Sequence, residues 1–252
     1  MGILLAIDQG NTRVKYTIFD HEDRLLRSVV TPAPDLDAIV GLAGECDIDC
    51  AAYASVAGID VRFVESLRRL CADRLLVVTH STPVPVANHY ATPGTLGADR
   101  LAAAVGAAAL CPGRAALVAD CGSALTCDLL SPDPAYIGGT IAPGVAMRMR
   151  ALHAYTSRLP EISWTGTEDL PPFPADTAGA IRSGAVRGLA DQIRASHAAA
   201  CRLHPGARLI LTGGDAQALL DTRLLSDLDP LCLPHLVPYG LIRILRYNDN
   251  LA

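Results

Sequence analysis

Two short segments place an aspartate two residues before a glycine, between apolar runs. Asp8 precedes Gly10 in "DQGN", and Asp120 precedes Gly122 in "DCGS". Glycine lets the backbone approach an anion while neighbouring N–H groups point inward, and a carboxylate can hold a hydrated cation that bridges phosphate oxygens. Each segment alone is compatible with an ordinary hairpin. Together they favour a site that holds a polyphosphate from both sides.

The chain contains one lysine, Lys15, and uses arginine at every other basic position. Lys15 follows Asp8 by seven residues, on the returning arm of the first hairpin. A compact ammonium on a flexible stem fits a crowded turn better than a planar guanidinium does. We therefore expect Lys15 to reach the β- or γ-phosphate of a nucleotide, although a single lysine can also persist by chance.

A third group of chemically capable residues lies in "NHYATPGTLGADR". Asp99 and Arg100 open a small-residue helix after a loop that carries Tyr90. A carboxylate there can take a proton from a substrate hydroxyl while the arginine holds an anionic or polar part of the same substrate. The simpler alternative is an aspartate that satisfies free amides at a helix N-terminus.

Other phosphate-binding signatures are missing. The sequence has neither GxxxxGK[ST] nor GxGxxG after a strand. The glycine pair in "TGGDA", residues 212–216, either packs against a nucleotide base or forms a strand-to-helix connection that needs a close backbone approach.

The elements that must position these residues repeat along the chain. Apolar runs at 3–8 and 13–19 flank the first turn, and residues 114–130 repeat this arrangement around "CGSA". Such a duplication, with helices after each hairpin, predicts an α/β fold of two related lobes, 1–112 and 113–252, with ligands in the cleft between them. Further strands are predicted near 50–56, 74–80 and 135–140, and helices near 60–73, 98–110, after Pro143-Gly144, near 176–200 and at 239–247. The segment "ARLILTGGDAQALL" is predicted to form a strand, a glycine turn and a helix.

Composition excludes several classes of protein. The net charge is −5 and no cluster of basic residues occurs, which argues against nucleic acid as a partner. The longest charge-free apolar run, 101–111, is about half of a membrane span, and no secretory leader is recognisable, so we expect no membrane association and a cytoplasmic location. The eight cysteines are expected to be mainly buried reduced thiols, with a metal site or disulfide as the alternative.

The ordered motifs resemble those of type III pantothenate kinases. They are "DQGNTRVK", "LGADR", "DCGSALTCD", "GGTIAPG", "ALHAYTSRLP", "DTAGAIRSG" and "TGGD". The resemblance implies a duplicated ribonuclease-H-like fold of the acetate and sugar kinase, Hsp70 and actin superfamily. It also implies ATP-dependent phosphorylation of pantothenate to 4'-phosphopantothenate, the first step of coenzyme A biosynthesis. Mg²⁺, a monovalent cation (K⁺ or NH₄⁺) and a homodimer are further implications.

The resemblance also implies roles for individual residues. Asp99 would be the general base, and Asp120 would bind the monovalent cation. Asp8 would lie near Mg²⁺ and contact it directly or through water. ATP would be bound by Asp8, Gln9, Gly10, Asn11, Thr12, Arg13, Val14, Lys15 and Ser123. Pantothenate would be bound by Tyr90, Gly97, Ala98, Asp99, Arg100 and Thr177.

Two positions depart from the family pattern. Ser123 stands where threonine is usual and retains the hydroxyl, whereas Asp176 replaces the more usual asparagine before Thr177. Two other functions remain open: a kinase or phosphatase of the same superfamily with another hydroxylated substrate, and a non-catalytic nucleotide-binding regulator. The intact GADR and Tyr90 region argues against the first, and the intact Asp99 and lack of a basic surface argue against the second.

Overall fold

The computed structural model describes residues 2–249, which form two compact units. The first contains residues 2–112, 134–136 and 235–249, and the second contains 113–133 and 137–234. The lobe boundary between residues 112 and 113 stays a prediction. Among the described residues, no helix is both long and apolar enough to cross a membrane.

The first unit is built on a five-stranded sheet in the order β3-β2-β1-β4-β5. β1 runs antiparallel to β2 and parallel to β4. The elements in chain order are β1 (Gly2–Gln9), β2 (Val14–Phe19), β3 (Leu25–Thr31), α1 (Leu36–Ala43), β4 (Asp47–Ser55), α2 (Val61–Leu70), β5 (Leu75–Val77), β6 (Ala87–Asn88), a 3₁₀ turn (Pro93–Thr95) and α3 (Ala98–Leu110).

The second unit repeats this plan. The next elements are β7 (Ala116–Cys121), β8 (Ala124–Leu130), β9 (Ala135–Pro143), α4 (Val145–Ala154), α5 (Thr177–Leu203), β10 (Arg208–Thr212), α6 (Ala216–Asp221), a 3₁₀ turn (Ser226–Leu228) and β11 (Leu231–Cys232). Its strands follow the order β11-β10-β7-β8-β9, with β7 antiparallel to β8 and parallel to β10. The predicted duplication and the α/β fold class are therefore confirmed. At its first residues, Ala135 and Tyr136, β9 also pairs with β6.

The last helix, α7 (Leu236–Asp249), completes the first unit. It packs on α3, whose alanine-rich sequence favours a helix and presents a flat face. The two helices come so close that a methyl group at Gly240 would overlap the carbonyl oxygen of Ala102. Arg243 and Arg246 of α7 pair with Asp23, in the turn between β2 and β3. This helix therefore buries its apolar side chains against the first unit.

Each unit has a separate apolar core. In the first, β1, β2 and β4 contribute Ile3, Leu5, Ile7, Tyr16, Ile18 and Tyr53. In the second, β7, β8, α5 and β10 contribute Leu117, Leu125, Val186, Leu189, Ile193, Leu209 and Leu211. The strand β1 is apolar at five consecutive positions, as expected for a strand covered on both faces.

Candidate active site

The first hairpin places Asp8 directly opposite Lys15. The register of β1 and β2 fixes this pair, because Gln9 and Val14 are the last paired residues before the turn. Within the turn, the N–H of Gly10 donates to the carbonyl oxygen of Arg13 at 3.0 Å. Residues 11–13 are exposed, while Asp8 and Lys15 are half-buried. The acid and the only lysine of the chain therefore lie side by side next to an exposed turn.

Gln9 is held at both its backbone and its side chain. Its carbonyl oxygen accepts from the N–H of Val56 at 3.0 Å. Its side-chain oxygen accepts from the Tyr53 hydroxyl at 2.5 Å. These contacts fix the end of β1, so Gln9 contributes to the position of the turn whatever else it contacts.

Asp99 lies in the first turn of α3, where the sequence predicted it. Its Oδ1 accepts from the N–H of Arg100 at 2.8 Å, so the carboxylate folds back over the helix N-terminus. A side chain at Gly97 would block this conformation, since a methyl group there would overlap Oδ1 of Asp99. Ala98 is buried beneath the same turn.

Asp8, Lys15 and Asp99 interact electrostatically within the first unit. The pKa of Asp8 is raised to about 6, chiefly by burial and also by the negative charge of Asp99, while the Lys15 ammonium opposes this shift. A nearby cation would stabilise the ionised form of a carboxyl group with such a pKa. The structure therefore brings together three of the predicted residues in a group that is suited to a positively charged ligand.

Arg100 is held between aromatic rings. The guanidinium carbon lies 5.8 Å from the centre of the Tyr90 ring and 5.9 Å from that of Tyr136, distances typical of cation–π contacts. The two rings meet edge to face at 5.9 Å, and the N–H of His89 donates to the carbonyl oxygen of Tyr136 at 2.9 Å. Tyr136 was missed by the sequence analysis; the only signal was an aromatic residue at the start of a predicted strand.

His235 is a second residue that the sequence analysis missed. It directly precedes α7, and its Nδ1 is buried without a hydrogen-bond partner in the part of the chain that the structure describes. Burial and the nearby Lys15 charge lower its pKa, which favours the neutral imidazole. Nothing in the local sequence pattern signals this proximity to Lys15.

The remaining predicted residues belong to the second unit. Asp120 is the last residue but one of β7, where it lies opposite Thr126 of β8 and beside Thr212 of β10. Ser123 is exposed in the turn that follows. The turn of residues 120–123 is thus the counterpart of the first hairpin turn in the duplicated sheet.

Asp176 and Thr177 mark the start of α5. The Asp176 carboxylate accepts from the N–H of Gly179 at 2.8 Å and so forms the N-cap of this 27-residue helix. Thr177 is exposed at the first helical position. The aspartate that departs from the family pattern therefore retains a defined polar contact.

Comparison with known proteins assigns the family. The model of the type III pantothenate kinase family matches residues 4–199. A type III pantothenate kinase of Phocaeicola vulgatus is 38% identical over 247 residues, which cover 98% of this chain and 99% of the relative.

Solved structures agree on the fold. The (R)-2-hydroxyglutaryl-CoA dehydratase component A of Acidaminococcus fermentans superposes with a TM-score of 0.56 at 14% identity, with all of both chains covered. A ROK family glucokinase of Streptomyces griseus superposes with a TM-score of 0.52 at 12% identity and covers 98% of this chain and 99% of its own. At such identities the likeness supports only the duplicated fold. With the family match over most of its length, the chain belongs to the type III pantothenate kinases.

Proposed function

We propose that this enzyme transfers the γ-phosphoryl group of ATP to the primary hydroxyl of pantothenate, the first step of coenzyme A biosynthesis. Family membership supports the reaction. The observation that carries the assignment of residues is the grouping of Asp8, Lys15 and Asp99 in the first unit. Phosphoryl transfer depends mainly on positioning and charge stabilisation, and these residues offer both.

In this proposal Asp99 accepts the proton of the attacking hydroxyl. Its carboxylate is held in place by the Arg100 N–H and has room only because residue 97 is glycine. Arg100 and Tyr90 bind pantothenate, with the guanidinium oriented by the two tyrosine rings. Lys15 lies next to the exposed turn, where its charge would offset that of the phosphates.

Asp8 is the proposed contact for Mg²⁺, directly or through water. Its oxygen donors and its raised pKa fit a hard divalent cation. Among residues 2–249 no cluster of three or more acidic, histidine or cysteine side chains could hold a metal by itself. This agrees with magnesium that is shared between one carboxylate and nucleotide phosphates, where it would neutralise the charge of the transferred group.

Asp120 is the proposed ligand of a monovalent cation, K⁺ or NH₄⁺. Asp120 is half-buried near the end of β7, next to the turn that duplicates the one after Asp8, and it lies three residues before the proposed ATP contact Ser123. A cation there would reduce repulsion between the carboxylate and bound phosphate. Titration of potassium in a sodium background should raise activity in the parent protein and far less in Asp120→Asn. Equal responses would refute the assignment.

We also propose a homodimer that uses α5. This helix contains three glycines. A methyl group at Gly188 would contact Arg148, and one at Gly179 would contact the N-cap residue Asp176. A methyl group at Gly184 would have no described atom within 4 Å. Gly184 can therefore admit a second chain at close range. Light scattering should give a dimer mass for the parent and a reduced mass for Gly184→Arg. A monomeric parent that is fully active would remove the proposal.

One assay tests the main reaction. Purified protein is incubated with ATP, Mg²⁺ and potassium, and with pantothenate or a panel of sugars and hydroxy acids. We expect phosphopantothenate and little product from the other acceptors. Failure to phosphorylate pantothenate, in folded protein that binds ATP, would contradict the proposed function.

A further inference from the structure

The turn of residues 120–123 is enclosed by two other turns of the second unit. One precedes α4, where the N–H of Gly144 donates to the carbonyl oxygen of Ser123 at 3.1 Å. The other follows β10, where the N–H of Asp215 donates to the carbonyl oxygen of Cys121 at 2.9 Å. Three segments that are far apart in sequence therefore meet at the turn that carries Asp120.

Gly144 is required for this approach because of space. A methyl group on it would overlap the carbonyl oxygen of Gly122 and lie 2.8 Å from that of Ser123. Both neighbours are backbone atoms, which cannot rotate away as a side chain can. The φ of Gly144 is −69°, a value that any residue adopts. The glycine at this position therefore serves only to bring two backbones together.

Gly213 approaches the turn from β10. A methyl group on it would overlap Oδ1 of Asp120 and lie 2.7 Å from the carbonyl oxygen of Cys121. Its φ of +91° also favours glycine. A side chain at residue 213 would thus push directly on the carboxylate that is proposed to hold the cation.

We propose that Gly144 and Gly213 are positioning residues for the cation and nucleotide site, because they seat the turn of residues 120–123 between two backbones. This inference rests on the proposed function of Asp120 and Ser123. Binding groups must be held within about 0.5 Å of their working geometry by the groups behind them. The glycine motifs around residues 144 and 213 therefore act through the shape of the turn.

The chain offers a matched control beside one of the two glycines. The place of a side chain at Gly214 has no described atom within 4 Å, and its φ lies outside the positive range. Gly214→Ala therefore tests loss of a glycine in the same loop without the close approach.

The experiment compares Gly144→Ala, Gly213→Ala and Gly214→Ala with the parent. Potassium activation, the KM for ATP, the KM for pantothenate and thermal unfolding are measured for each. Misplacement of a binding group by about 1 Å can cost roughly 100-fold, so the first two variants should need at least about 10-fold more potassium for half-maximal activity, with a raised KM for ATP. The KM for pantothenate should stay close to that of the parent. Gly214→Ala should keep the parent's potassium response, because a side chain there does not press on the turn.

A purely structural role would give a different pattern. The inference would be overturned if Gly144→Ala or Gly213→Ala had lower thermal stability but kept the parent's potassium response and KM for ATP. Residues 144 and 213 approach the turn from different segments, so either variant decides the question if it folds.

Failure of the proposed function can be distinguished from failure of the inference about Gly144 and Gly213. In that case the parent makes no phosphopantothenate, and calorimetric binding of a non-hydrolysable ATP analogue at low and high potassium replaces the assay. Weaker binding in the two variants than in the parent then supports the inference, and binding equal to that of the parent overturns it.

Discussion

At the residue scale, the first hairpin holds a carboxylate that is costly to ionise. Asp8 lies beside Lys15, but burial and the charge of Asp99 outweigh the ammonium and raise the pKa of Asp8 to about 6. The ordinary value of 3.8 applies when the chain is unfolded. Ionised Asp8 therefore destabilises the ligand-free protein, and a bound cation would relieve this cost.

Replacement of Asp8 should stabilise the ligand-free protein in a pH-dependent way. Since folding raises the pKa, the cost is absent below about pH 4, develops as the pH rises to about 6, and is complete above it. Asp8→Asn should thus gain at most about 3 kcal/mol near pH 8 and almost nothing near pH 4. Urea unfolding at both pH values measures the difference. The same gain in stability at both pH values would mean that the pKa of the Asp8 carboxyl is not raised.

Asp99→Asn should separate chemistry from helix capping. Loss of a positioned proton acceptor is expected to lower turnover by roughly 10²- to 10⁴-fold while ATP still binds. Asp60→Asn is the matched control, since Asp60 caps α2 in the same unit through the N–H groups of Arg62 and Phe63. Single-turnover kinetics and ATP binding are measured for both. Unchanged turnover in Asp99→Asn would mean that Asp99 is not the general base and serves only at the N-terminus of α3.

Lys15 should contribute to ATP use through its charge. Lys15→Ala is expected to raise the KM for ATP and lower turnover with little effect on unfolding, and Lys15→Arg should recover part of the loss. Arg27→Ala, which removes an exposed positive charge from β3 of the same sheet, is the control for general loss of positive charge. Steady-state kinetics of the three variants decide the question: parent-like constants in Lys15→Ala would make the single lysine an accident of composition.

At the element scale, local patterns predicted the hairpins and the long helices well. The helix predicted at 98–110 coincides with α3 (Ala98–Leu110), because alanine-rich sequence and Pro112 act locally. β3 (Leu25–Thr31) and α1 (Leu36–Ala43) were not foreseen. β3 is a mostly exposed strand whose partner is β2, so tertiary pairing determines it more than its own pattern does.

The candidate site also combines residues that local motifs reveal with residues that only tertiary packing reveals. Asp8, Lys15 and Asp99 could be named from local motifs. Tyr136 and His235 could not, because their contacts with Arg100 and Lys15 join residues that are far apart in sequence. Only the packing of β9 and α7 brings them to the first unit.

The N-cap of α5 gives a prediction at this scale. Asp176→Ala should cost about 1 kcal/mol of stability, because the N–H of Gly179 loses its partner. Asp176→Asn should be close to neutral, since asparagine caps helices about equally well. Thermal unfolding measures both. A loss in Asp176→Asn as large as in Asp176→Ala would show that the charge matters and the cap does not.

At the scale of the whole molecule, the first unit depends on the last helix. α7 buries Leu236, Val237, Leu241, Ile242, Ile244 and Leu245. Each such side chain contributes about 1.5–3 kcal/mol when fully buried, so together they match the entire stability of a typical domain, about 5–15 kcal/mol.

A chain that ends at residue 234 should therefore fail to form a stable first unit. Limited proteolysis is expected to cut within residues 2–112 while residues 137–234 resist. The double variant Arg243→Ala and Arg246→Ala is the control, because it removes the pairs with Asp23 and leaves the apolar face intact. Parent-like hydrogen-exchange protection of β1 in the shortened chain would contradict the prediction.

The place of α7 in the sequence also orders events on the ribosome. Residues 236–249 are synthesised after every strand of the second unit, yet they cover α3 of the first. At about 5–20 residues per second, α3 waits on the order of ten seconds for its partner. The unit that is translated first is thus the one that is completed last, and during that interval its small-residue face is open to chaperones.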